Sequence, residues 1–468
     1  MGDNCECEKV QRCAKFNHTH LADFRAWKFL YQDSMSSERQ EATNRNCPNQ
    51  HRIACGFEPV WLGFARDWKT ILTLSSNTPS KPGHLPAGHL REVAALFLRL
   101  GITAFGGPAA HIAMMENEVV RRRWLAREEF LDLLGMANLI PGPSSTELAI
   151  FLGYRRAGWR GLLLGGICFI LPAALIVTAI AAAYIQYGKL PQVGALLYGI
   201  KPVIIAIVLQ ALWNLGRTAI KTPWLALMVI AATVASVCGL NPLLILISAG
   251  SLTTLSWIPA RRPGKVAAMT PLFCLATPTG VTVPAASAAA ASFSVGKLFL
   301  VFLKIGSVLF GSGYVLLAFL HTDFVSKLHW LTENQLLDAV AVGQFTPGPV
   351  FTTATFIGYV LGGPTAAMVA TVGIFLPSFV LVALSGPIVP RLQKSLTARA
   401  FLDGVNVASL ALMAAVTWQL GTAALVDWLT ATLAVAAVIL LLRYKINSAW
   451  MVLGGAAAGW AIRAFVWR

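Results

Sequence analysis

The stretch FLRLGITAFGG, Phe97 to Gly107, returns as FLKIGSVLFGSG, Phe302 to Gly313. Working outward, LIPGP (Leu139 to Pro143) is answered by QFTPGP (Gln344 to Pro349), and FILP (Phe169 to Pro172) by IFLP (Ile374 to Pro377). The spacing hardly drifts: Phe105 and Phe310 lie 205 positions apart, Pro141 and Pro347 206, and Pro172 and Pro377 205. Offsets this constant mean that one structural unit was duplicated and fused. Each copy keeps a basic residue inside an apolar helix and a Pro-Gly-Pro break. In a bilayer that combination points to a transporter.

Composition gives the class. Of 468 residues 56% are hydrophobic and only 12% charged, with a mean hydropathy of +0.64; soluble domains carry about 25% charged residues. From about Gly88 onward the apolar runs reach the roughly 20 residues a bilayer requires. The net charge of +16 sits in short loops between these runs, so it reads as a topology signal and as contact with anionic lipid. No basic stripe with interleaved aromatics is present, which excludes nucleic acid as a partner.

The composition divides the chain into an extension (1–88), a first transporter repeat (89–260), a linker (261–295) and a second repeat (296–468). The extension holds five of the eight cysteines (Cys5, Cys7, Cys13, Cys47 and Cys55) together with His18, His20 and His51. Such residues can bind a soft metal, but their spacing matches no closed zinc motif. The reading is a poorly ordered segment or an upstream start, with neither metal nor cofactor expected.

Lysine and arginine accumulate on the cytoplasmic side of membrane proteins. Arg155, Arg156 and Arg160 face a neutral counterpart at Gly362 and Gly363, whereas Lys189 stands alone against Arg391, Lys394 and Arg399. Arg217 and Lys221 then face only Asp427, and the neutral turn at Gly239 faces Arg443 and Lys445. The bias alternates through four consecutive loops, as inverted repeats require. Apolar runs in the second copy at 297–320, 365–387, 400–420, 425–442 and 446–462 give five crossings. The flanks of Pro347-Gly348-Pro349 span only about 16 Å each at 1.5 Å per residue, half the hydrocarbon thickness. The alternative, a Pro-kinked continuous helix, would put Arg121, Arg122 and Arg123 outside, against the charge rule. The expected fold is an all-α polytopic membrane protein of two inverted repeats, each with about five transmembrane helices and a Pro-Gly-Pro re-entrant hairpin.

The residue types at the breaks suit a tetrahedral anion. Arg99 and Lys304, 205 positions apart within apolar runs, would face it from either side of the pseudo-two-fold; snorkelling to the headgroups is the alternative. Gly106 and Gly107, with Gly311 and Gly313 in the second copy, allow close backbone approach, and a broken helix presents amides at its N-terminus. Pro141, Gly142 and Pro143, with hydroxyls at Ser144 and Ser145, repeat as Pro347, Gly348 and Pro349 with Thr352 and Thr353. For proton coupling the candidates are Glu147, Glu116 and His111, while Asp132 and its equivalent Asp338 also suit helix starts near the interface.

Together, FGGP (Phe105 to Pro108), RRRWL (Arg121 to Leu125), PGPSS (Pro141 to Ser145), GxxRAGWxG (Gly153 to Gly161), FGSG (Phe310 to Gly313) and TPGPV (Thr346 to Val350) resemble the chromate ion transporter family in its two-repeat form. The resemblance implies a bacterial, archaeal or fungal inner or plasma membrane protein that exports chromate by the proton-motive force and confers chromate resistance. Two features depart from the family pattern: the long extension, and Glu147, where members often carry a neutral polar residue such as Gln. Uptake or exchange of sulfate or another oxyanion is the main alternative, and a metal-dependent membrane enzyme the remote one. The partners implied are the oxyanion, protons and the lipid bilayer; a homodimer is one assembly left open.

Overall fold

The computed structural model describes residues 87–188, 190–257, 292–310, 313–444 and 446–466. The cysteine-rich extension, nearly all of the linker, and Gly311 lie outside the described residues. What is described is helical, with no strand among the described residues. The first copy contributes α1 (Ala87–Thr103), α2 (Gly107–Arg121), α3 (Arg127–Ala137), α4 (Ser144–Tyr187), α5 (Pro191–Ala219), α6 (Pro223–Val237) and α7 (Pro242–Trp257). The second contributes α8 (Val295–Val308), α9 (Leu316–Leu320) with a π-helical turn at His321–Lys327, then α10 (Glu333–Phe345), α11 (Thr353–Lys394), α12 (Leu396–Ala424), α13 (Trp428–Tyr444) and α14 (Ser448–Val466). Each element of the first copy therefore has a counterpart seven labels later. Four of these helices, α4, α5, α11 and α12, are long and apolar enough to cross a membrane.

Local chemistry sets the boundaries. Gly106 and Gly107 take positive φ (107° and 78°) before Pro108, which opens α2 at a position where the missing N–H costs nothing. Thr332 caps α10 by accepting from the Gln335 amide at 3.2 Å, and Gln335 returns the bond to the Thr332 amide at 2.9 Å. The run read as a single crossing at 297–320 is in fact divided: α8 stops at Val308, and helix resumes only at Gly313 as a short 3-10 turn. This matches the break between α1 and α2.

Neither α4 nor α11 is one straight rod. Gly158 (φ 63°) and Gly363 (φ 71°) leave helical geometry, and the chain doubles back. A Cβ on Gly153 would strike the carbonyl of Gly161, and one on Gly165 the carbonyl of Ala149 at 2.8 Å. In a continuous helix, residues 149 and 165 would stand about 24 Å apart. The second copy has the same fold-back, with Thr355 and Thr371 hydroxyls bonded at 2.7 Å across it. Small residues let the two arms approach closely.

The copies are interlocked. In each, the first helix packs on the long folded one (α1 on α4, α8 on α11), and α4 packs on α11 at the centre. The later helices are exchanged: α5 packs against α13 and α14 of the second copy, and α12 against α6 and α7 of the first. Reciprocal contacts of this kind are what a two-fold relation produces. Phe97 and Phe302, 205 positions apart, are both wholly buried in the two cores. Leucines and isoleucines such as Leu163, Leu175, Ile230 and Leu244 project outward, as a lipid-facing surface demands.

Candidate functional site

The reciprocity is sharpest at the helix breaks. The Gly142 amide donates to the Leu309 carbonyl at 2.7 Å, and the Gly348 amide donates to the Ala104 carbonyl at 2.9 Å. Leu309 is the counterpart of Ala104 and Gly348 of Gly142, so each Pro-Gly-Pro tip is bonded to the broken first helix of the other copy. These amides are therefore satisfied by protein. An anion must meet the neighbouring groups instead.

Those groups surround a cavity of about 480 Å³. One wall is the break between α1 and α2 (Gly106, Pro108, Ala109, Ile112), the second the tip between α3 and α4 (Asn138, Pro143, Ser144, Ser145). A third comes from the second copy through Gly313, Pro349, Val350 and Phe351. The last is a stripe on α5, Gln210, Asn214 and Thr218 with Ala211 and Leu215. Carboxamides, hydroxyls and the first-turn amides of α2 and α4, which have no partner inside their own helices, make this a site of neutral donors. No described residue lining it is ionisable.

Of the residues expected from sequence, Gly106, Pro143, Ser144, Ser145, Gly313 and Pro349 come together here, while Gly107, Pro141, Gly142, Pro347 and Gly348 do not line the cavity. Thr352 is wholly buried, its hydroxyl donating to the Pro349 carbonyl at 2.8 Å. Arg99 and Lys304 do not reach the cavity. Arg99 is paired with Glu118 at 3.7 Å, and Glu118 also receives Arg121 at 2.7 Å and Arg122 at 3.0 Å. Lys304 contacts Asp323, which also receives Lys327 at 3.8 Å. Glu118 and Asp323 are again 205 positions apart, as are Arg122 and Lys327. The expected pair of free cations is thus part of a duplicated cation–carboxylate–cation network, to which the first copy adds Arg121 where the second has Ser326.

The coupling candidates separate as well. Glu116 is paired with Arg127 at 2.9 Å, outside the cavity. His111 is buried against Phe169, its Nε2 at 3.1 Å from the Ala104 carbonyl, the same oxygen that receives Gly348. Glu147 is wholly buried at the first turn of α4, and among the described residues neither carboxylate oxygen has a hydrogen-bond partner. It and Ser378 of the second copy fill the space that a Gly142 Cβ would occupy. Asp338 accepts from Tyr184 at 2.8 Å and is paired with Lys201 at 3.4 Å.

Sequence reasoning missed the α5 stripe and the carboxylates Glu118 and Asp323. The stripe was legible: Gln210, Asn214 and Thr218 recur every four residues along one face of an otherwise apolar helix. The carboxylates sit on α2 and beside α9, and only the duplication at a constant offset links them to the cations.

A family model described as chromate transporter matches residues 91–254 and again 296–460. A chromate transport protein of Cupriavidus metallidurans is 33% identical over 398 residues, which is 81% of this chain and 97% of the relative. One from Pseudomonas aeruginosa is 32% identical over 386 residues, 79% of this chain and 92% of the relative. An uncharacterized transporter of Bacillus subtilis, YwrA, is 32% identical over 126 residues, 27% of this chain and 71% of the relative. No solved structure matches. The chain belongs to the chromate transporter family; it is a membrane transport protein and not an enzyme.

Proposed function

We propose that the chain exports chromate from the cytoplasm through the cavity between the four helix breaks, as a multi-pass protein of the inner or plasma membrane, and so confers chromate resistance. The observation that carries this reading is the cavity's composition: both breaks of both copies meet there, with neutral donors and no fixed carboxylate to repel a dianion. The repeats are inverted, on the strength of the alternating loop charges and the reciprocal amide bonds, and the Pro-Gly-Pro tips are re-entrant hairpins. Their arms support this, since α3 and α10 have 11 and 13 residues, about 16–20 Å at 1.5 Å per residue, too short to span. Residues 89–260 and 296–468 form the repeats, joined by the linker.

Energetics favours export. With about 100 mV negative inside, each charge moved is worth about 2.3 kcal/mol, so a dianion is driven outward by about 4.6 kcal/mol. Proton coupling is then an addition rather than a requirement, and Glu147 carries it as the buried carboxyl nearest the tip. The test is uptake of labelled chromate into everted vesicles, with sulfate as competitor and a protonophore as control. Uptake is expected to be saturable and to depend on the potential. Accumulation equal to that of vesicles lacking the protein would overturn the reading, and stronger inhibition by sulfate than by chromate would assign the site to sulfate.

A further inference from the structure

The two copies share their frame but not their closure. In the second copy α9 and α10 pack on α12. Their counterparts α2 and α3 come into little contact with α5, and the cavity occupies the gap. The same contrast appears in burial. Gln210, Ala211 and Leu215 face the cavity, whereas their counterparts Ala415, Val416 and Leu420 are buried.

Gln344 gives this contrast a chemical meaning. It is the counterpart of Asn138, which lines the cavity, yet it is buried with neither its amide nitrogen nor its oxygen hydrogen-bonded among the described residues. An unpaired buried carboxamide is costly, and a state of the molecule that exposes it recovers that cost. Above it, α10 is tied to the first copy. Lys201 on α5 reaches Asn334 at 2.9 Å and Asp338 at 3.4 Å, and Tyr184 donates to Asp338 at 2.8 Å. At the position of Lys201 the other copy has Asn406, and Asp132, the counterpart of Asp338, makes no hydrogen bond or ion pair among the described residues. Lys201 and the cavity residue Thr218 are 17 residues apart on α5, about 26 Å, so this cluster and the open cavity lie at opposite ends of that helix.

We infer that a second access route for the oxyanion, sealed in this structure, lies between α9, α10 and α12, with Gln344 at its inner end and Lys201–Asp338–Tyr184 as the latch that closes it. This deepens the export reading and rests on it. When α2 and α3 close onto α5, α9 and α10 leave α12, and the anion passes to the other face. The two routes are chemically unequal. The open one offers Gln210, Asn214 and Thr218; at the equivalent positions the sealed one has Ala415, Gln419 and Ala423, one polar group in place of three. The open face therefore captures and the sealed face releases.

Accessibility of single cysteines in the full chain, made in a background without native cysteines, tests this. A membrane-impermeant maleimide is applied to right-side-out and to everted vesicles. Asn138→Cys is expected to label from one face and Gln344→Cys hardly at all. Adding Asp338→Asn is expected to raise the Gln344→Cys rate by about tenfold from the opposite face and to lower that of Asn138→Cys, as a shift in population requires. Lys201→Gln is expected to act in the same way and substitutes if Asp338→Asn does not accumulate. The proposal is overturned if Gln344→Cys stays unlabelled in whichever latch variant accumulates, or labels from the same face as Asn138→Cys. Labelling needs no substrate, so its outcome stands whether or not labelled chromate is transported.

Discussion

The two copies keep one set of contacts and vary another, and the difference separates frame from function. Retained are the cation–carboxylate–cation network (Arg99, Glu118, Arg122 against Lys304, Asp323, Lys327) and the amide bonds of Gly142 and Gly348. Varied is what faces the centre. Glu147 has Thr353 as its counterpart, Ser378 has Ala173, and the polar stripe Gln210, Asn214 and Thr218 on α5 becomes Ala415, Gln419 and Ala423 on α12. Even a contact has changed character: the Glu116–Arg127 ion pair of the first copy is replaced by His321 at 3.6 Å from Glu333, with the acidic group on the other element. A transporter needs a symmetric frame to reach two states of similar energy, and an asymmetric centre to hold its substrate in one and release it in the other. The groups that differ are therefore those to test against the groups that agree.

The largest effects are expected at the two tips, where both copies agree. Gly142 (φ 141°) and Gly348 (φ 89°) occupy backbone space that side chains rarely adopt. A Cβ on Gly142 would lie 2.8 Å from the Ser378 hydroxyl, and one on Gly348 2.7 Å from the Ala173 methyl. Strained backbone costs about 1–3 kcal/mol, and overpacking adds a similar amount. Gly142→Ala and Gly348→Ala are each expected to abolish chromate transport. Full transport by either would show that the tip it changes is not held as the reciprocal bonds imply.

Next comes the centre, where the copies differ. Ser145 lines the cavity, so Ser145→Asp sets a carboxylate against a dianion in a medium that screens it poorly. Transport is expected to vanish while the protein accumulates normally, and Ser145→Ala is expected to lose only a few-fold. Thr352→Asp differs in kind, because that residue is wholly buried; it is expected to lower the amount of folded protein. Measuring transport and abundance together separates a blocked site from a broken fold.

The duplicated offsets and the breaks at Gly106, Pro141 and Pro347 were legible because glycine and proline mark backbone events locally. The fold-backs at Gly158 and Gly363 were readable as loops from their flanking residues. What escaped was pairing at a distance. Nothing beside Arg99 announces Glu118, which lies a helix away, and an apolar run from 297 to 320 hides a break until Leu309 is seen to accept the Gly142 amide. The cations drew attention because an unpaired charge is costly at bilayer depth, and the protein meets that cost with its own carboxylates.

Smaller effects are therefore expected at the networks. Arg99 stands farthest from Glu118, at 3.7 Å, and Arg121 at 2.7 Å and Arg122 at 3.0 Å keep that carboxylate paired without it. Arg99→Ala is expected to retain at least half of the transport. Asp323 is only 7% accessible at its side chain and neutralises two lysines. Asp323→Asn is expected to destabilise by about 1–3 kcal/mol, as removal of a buried bonding group does, seen as a lower melting temperature in detergent. Loss of transport by Arg99→Ala at normal abundance would return this arginine to the substrate path.

The smallest perturbation carries the comparison to the membrane itself. If the copies are inverted, equivalent loop residues lie on opposite faces. Ala157 is too buried to report this, but Arg160 and Thr365 are both exposed and 205 positions apart, at the start of the second arms of α4 and α11. Around Arg160 stand Arg155 and Arg156, the latter bonded to Glu92 at 2.6 Å and stacked over Trp124; around Thr365 stand only glycine, proline and apolar residues. By the charge rule the arginine-rich turn is cytoplasmic. Arg160→Cys is expected to react with an impermeant maleimide only in everted vesicles, and Thr365→Cys only in right-side-out ones, with transport nearly unchanged in both. Reaction of both from a single face would make the repeats parallel. The reciprocal bonds at Gly142 and Gly348 would then need an axis along the membrane normal, and the two faces of the transporter would have no symmetry to exchange them.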